Sequence, residues 1–120
     1  MIEIKAPRAL YIGSQWITPT SGQCEPVINP ATEQVIGTAP VGTLADVEAA
    51  LAAAREAFDR GPWPRMPSKE RARKLQAFHA ALARRKDEIC SIIVAETGCP
   101  ISLTRFAQYA LPMQHLQYYI

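Results

Sequence analysis

The chain has 120 residues, about the size of one ordinary domain, and its 48% apolar and 20% charged content is globular rather than disordered. Its 13 basic and 11 acidic residues leave a net charge of +2, too even a balance to imply a nucleic-acid or membrane partner. Three cysteines without a Cys-x-x-Cys spacing, and two distant histidines, exclude a disulfide framework and a zinc site and point to a reducing cytoplasm. The opening "MIEIKAPRAL" lacks the apolar run of a signal peptide. The longest apolar window, residues 89–95, is far too short to span a bilayer.

Residues 1–42 read as strand and turn. "ALYI" and "QWIT" flank Gly13-Ser14, which predicts a hairpin with a type II′ turn, glycine supplying the positive φ. "EPVI" and "VIGTAPV" are two further β-branched runs. Asn29-Pro30-Ala31-Thr32 lies between them and should reverse the chain, because a residue before proline is held extended on entering a turn.

Residues 43–120 read as helical. Thr43 is an N-cap, with Asp46 at N3 to answer the free backbone donors and the helix dipole. Leu44, Val47, Leu51, Ala54 and Phe58 follow in alternating steps of three and four, one apolar stripe on a helix. Asp46, Glu56 and Arg60 are expected on the other side, with Glu56 and Arg60 as an i,i+4 ion pair. Gly61 and Pro62 end this helix. Ser68, after Pro67, is expected to cap a second helix whose buried side is Leu75, Phe78 and Leu82. Arg85 falls where the next apolar residue would be, so a break is expected there, with Asp87 and Glu88 in the first turn of a third helix. Ile89, Ile92, Ile93 and Glu96 carry that helix to Gly98 and Pro100. A last helical stretch should begin near Ser102, be interrupted around Pro112 and run into "MQHLQYYI".

Few side chains are candidates for chemistry. Cys24, after a Gly-Gln pair, is a candidate nucleophile, but Glu25 beside it disfavours a thiolate and no helix begins nearby. Cys90 sits among isoleucines as a small core residue. Cys99 follows a helix C-terminus, where the dipole disfavours a thiolate. His79, beside Phe78, has no acid placed to orient it, and His115 is in a similar position, so both read as structural. Lys69, Arg73 and Arg84 share the helix face opposite Leu75, Phe78 and Leu82, as a solvated face does. Tyr118, Tyr119 and Leu116 are expected to pack on another element. No Gly-x-Gly-x-x-Gly and no Gly-x-x-x-x-Gly-Lys-Ser/Thr occurs, so a phosphate cradle is not expected. Residue chemistry alone describes an α+β piece without an active site.

The order of segments is more specific than any single residue. "LYIGSQWI", "VINPATEQVIGTAPVGTLADVEAALAAAREAF", "GPWPRMPSKERARKLQAF", "ETGCPI" and "LQYYI" together resemble the amino-terminal portion of aldehyde dehydrogenases, from about Leu10 to Ile120. Asn29-Pro30-Ala31-Thr32, Val35-Ile36, Asp46-Val47, Ala53-Ala54, Phe58, Trp63, Arg71, Leu75 and Glu96-Thr97-Gly98 stand where that family's pattern puts them. Glu33 departs from it, occupying a turn position where the family usually has glycine, and Cys99 stands where lysine is usual.

The resemblance implies an α+β fragment, a hairpin and strands followed by helices, from the cofactor-binding α/β half of such an enzyme. It implies NAD or NADP as the cofactor of the complete enzyme, bound outside these residues, and oxidation of an aldehyde through a cysteine thioester. The family's nucleophile follows Gly-Gln-x-Cys far downstream. "SGQC" lacks the spacer, so Cys24 is not that residue. The glutamate base, the oxyanion-holding asparagine and the nicotinamide site are likewise expected beyond Ile120. Catalytic, cofactor-binding and metal residues are therefore expected to be absent here. Some members hold a monovalent cation with backbone near the Asn-Pro turn and an acid on a later helix. The corresponding stretch here offers Gln108 and Ala110, with no carboxylate between Arg105 and Ile120, so no such ion is expected. The expected partners are the rest of the chain and further copies of it. The rival expectation is a free-standing helical interaction module derived from such a gene.

Overall fold

The computed structural model describes residues 8–120, which fall into two compact units. The first unit takes in residues up to Ile28 and Gln34–Arg65; the second takes in Asn29–Glu33 and Met66–Ile120.

In the first unit, β1 (Leu10–Ile12) and β2 (Gln15–Ile17) form an antiparallel hairpin that pairs Tyr11 with Trp16. Those two rings stand 5.1 Å apart at 60°, the cross-strand aromatic contact that stabilises an otherwise marginal two-stranded ribbon. The expected turn type is corrected. Gly13 has φ 58° and Ser14 has φ 65°, and positive φ at both central residues makes a type I′ rather than a type II′ turn. Either primed turn matches the right-handed twist of the strands, and the I′ form places Ser14 in a region serine seldom visits.

β3 (Cys24–Ile28) pairs antiparallel with β4 (Val35–Pro40), with a register shift between Val27 and Ile28. Pro26 is tolerated because a two-stranded sheet leaves each strand an open edge. α1 (Leu44–Asp59) opens with a full capping box of Thr43 and Asp46. At its other end, Arg65 Nη2 donates to the Asp59 carbonyl at 2.9 Å, a cation on the free acceptors of the last turn. A short 3-10 turn, Trp63–Arg65, follows. The expected apolar stripe lies in water: Leu44 is 75% exposed and Phe58 63%, with Val47 and Leu51 also exposed. Asp46, expected on the polar side, is the buried residue of this helix.

In the second unit, the turn at Asn29–Glu33 is closed by the Asn29 side chain, whose Oδ1 accepts from the Ala31 and Thr32 amides at 2.9 and 3.3 Å. The Glu33 amide donates to the Asn29 carbonyl at 2.8 Å, and Glu33 has φ 57°. That is the left-handed conformation that favours glycine, the residue the family usually places there. α2 (Ser68–Arg84) starts without a side-chain cap. Ser68 is its first residue, not its cap; Pro67 takes the cap position, its carbonyl accepting from the Glu70 and Arg71 amides. Proline's fixed φ restricts the chain as it enters the first turn, but its ring offers no acceptor to the free amides there. Arg85 divides α2 from α3 (Lys86–Thr97), as expected, and its guanidinium forks onto the Glu88 carboxylate at 2.6 and 2.7 Å.

Gly98, with φ 69°, ends α3, its amide donating to the Val94 carbonyl at 3.0 Å. The final stretch begins at α4 (Ile101–Leu103), continues as a π-helix over Thr104–Ala110 and ends in α5 (Leu111–Tyr118). The expected interruption at Pro112 thus takes the form of one widened helical segment just before it. A ring without an N–H cannot close the α ladder at that point, and a π segment absorbs the mismatch. The core of this unit is small: Thr104 (0% exposed), Cys90 (1%) and Tyr109, whose hydroxyl donates to the Leu82 carbonyl at 3.3 Å. Leu75 and Leu82 are half-buried, but Phe78 is 55% exposed, contrary to expectation. Tyr118 and Tyr119 are exposed as well and stack edge-on against each other, not on another element.

Candidate functional site

The densest polar constellation among the described residues is built on Asp46. The helix start at Thr43 brings this carboxylate back under the Thr43 amide (2.8 Å) and hydroxyl (2.9 Å). The loop before β3 brings Thr20, whose hydroxyl donates at 2.7 Å and whose amide lies 3.3 Å from both carboxylate oxygens. The Thr43 amide, then the Thr20 hydroxyl, hold the Asp46 carboxyl down at about 2, against an ordinary 3.8. A carboxylate so fully supplied with donors is a poor base and has no lone pair to spare for a substrate proton. It staples the loop to the helix. Sequence reasoning found Asp46 as a capping residue but missed Thr20, because nothing in chain order couples a loop threonine to it.

Cys24 belongs to the first unit, and Cys90, Cys99, His79 and His115 to the second. Cys24 is half-buried on β3 opposite Pro40, Cys90 is buried in α3, and Cys99 is half-buried, its amide donating to Thr97 Oγ1 at 3.2 Å. All three are free thiols. His79 is half-buried on α2 and His115 is exposed on α5. No group of three or more His, Cys, Asp or Glu side chains able to hold a metal occurs among the described residues. Lys69, Arg73 and Arg84 are exposed on α2. Gln108 is exposed and Ala110 half-buried, both within the π-helix.

The start of α1 is not open to a pyrophosphate. A pyrophosphate is held by free amides of a glycine-rich turn at a helix start. The best-formed helix start here, that of α1, is already closed by the Thr43 and Asp46 side chains. The ion pairs Arg55–Asp59, Glu56–Arg60 and Arg85–Glu88 are local and exposed, and they carry no site. No helix among the described residues is long and apolar enough to cross a membrane.

The sequence profile of the aldehyde dehydrogenase family matches residues 16–120. Aminoaldehyde dehydrogenase 2 of Zea mays is 44% identical over 97 residues, which are 78% of this chain and 19% of that protein. Geranial dehydrogenase of Castellaniella defragrans is 33% identical across 92% of this chain and 23% of its own length. Among solved structures, an aldehyde dehydrogenase of Mycobacterium tuberculosis complexed with NAD+ superposes with a TM-score of 0.88 at 40% identity, over 92% of this chain and 23% of that one. One from Pseudomonas syringae, complexed with NAD+ and octanal, gives 0.89 at 33% identity, over 98% and 24%. The chain thus spans about a fifth of the length of the curated relatives it matches.

Proposed function

Since the chain belongs to the aldehyde dehydrogenase family, we propose that its residues are the amino-terminal segment of an NAD(P)-dependent aldehyde dehydrogenase. Residues 1–42 and 43–120 are then parts of one family domain. The complete enzyme oxidises an aldehyde to a carboxylic acid. In this reading the segment supplies no catalytic, cofactor-binding or metal-binding residue, and it works as a packing partner for the rest of the fold. The three free thiols favour a reducing compartment such as the cytoplasm, and the complete enzyme is a homo-oligomer.

The observation that carries the reading is the α1 stripe left in water, Leu44, Val47, Leu51 and Phe58. Apolar burial is worth about 25 cal/mol per Å², so several large side chains held in water forgo several kcal/mol. Natural domains are stable by only roughly 5–15 kcal/mol, so the deficit is of the same order as the whole. Covering by the remainder of the enzyme supplies what is missing.

The purified 120-residue chain is expected to produce no NADH or NADPH from any aldehyde. Reproducible turnover that disappears in Cys24→Ser would overturn the non-catalytic assignment. The chain should also self-associate or lack fixed aromatic signals in near-UV circular dichroism. A monomer at all concentrations, with a sharp cooperative melt, would point instead to a free-standing interaction module. Reading the coding sequence past Ile120 separates the two directly.

A further inference from the structure

We draw no further inference here: the strongest candidate, the exposed apolar stripe of Leu44, Val47, Leu51 and Phe58 along α1, belongs to the reading already given, and nothing in the structure shows what else covers it.

Discussion

Helices α1 and α3 both run into a glycine with a proline close behind, Gly61-Pro62 in the first unit and Gly98-Cys99-Pro100 in the second. A side chain would fail at the two glycines for different reasons. At Gly61 a Cβ would stand 2.1 Å from the Ala57 carbonyl oxygen, so the chain turns too tightly over its own last turn to admit any side chain. At Gly98 the backbone itself is left-handed, with φ 69°, and a Cβ would meet Pro30 Cγ at 2.9 Å. The first stop is wholly local. The second is partly tertiary, because Pro30 comes from the Asn29–Glu33 turn of the same unit. One punctuation in the sequence therefore serves two physical situations, and only one of them depends on a distant segment.

The sharpest test of that contrast is Gly61→Ala. Neither the Ala57 carbonyl nor the backbone bearing it can yield without opening the end of α1, so a loss of about 2–3 kcal/mol is expected. Amide exchange at Arg60, whose N–H bonds the Glu56 carbonyl at 3.0 Å, should accelerate accordingly. Unchanged exchange would show that the turn relaxes freely.

Gly98→Ala should cost less, about 1–2 kcal/mol, divided between left-handed strain and the contact with Pro30. Adding Pro30→Ala should recover the contact part and leave the backbone part. Full recovery in the double variant would make this stop purely tertiary; none would make it purely local.

The two units also differ in what they bury, the Asp46 carboxylate and Pro19 in the first and Cys90, Thr104 and Tyr109 in the second. Asp46 has its folded value lowered to about 2 from 3.8, so its stabilisation is complete above the ordinary value and is lost as pH falls from there through about 2. The Thr20 and Thr43 amide resonances should titrate together with a midpoint near the lower figure, and Asp46→Asn should abolish that titration. A midpoint at the ordinary carboxylate value would break the staple. The smallest effect is expected at Glu33. Glu33→Gly should stabilise the Asn29–Glu33 turn by about 0.5–1 kcal/mol, since glycine adopts its positive φ without a Cβ penalty. Slower exchange of the Glu33 amide, bonded to the Asn29 carbonyl, would register it.

The sequence by itself determined what depends on neighbours a few residues apart. The Thr43–Asp46 box, the breaks at Arg85 and Gly98, the two strand pairs and the reversal at Asn29 were all legible, because caps, turns and periodicity act within one or two turns of chain. The family was legible too, in the order of those segments. Gly13 suits both primed turns, so chain order points to II′ while the positive φ of Ser14, which makes the turn I′, is visible only in the structure. The roles of Thr20 and Tyr109, and the meeting of Pro30 with Gly98, were decided only by the tertiary structure, since each joins residues far apart in the chain. The same holds for burial. Periodicity marks an apolar stripe on α1, but whether such a face is covered depends on which other surface lies against it, and in this chain Asp46 is buried while Leu44 remains in water.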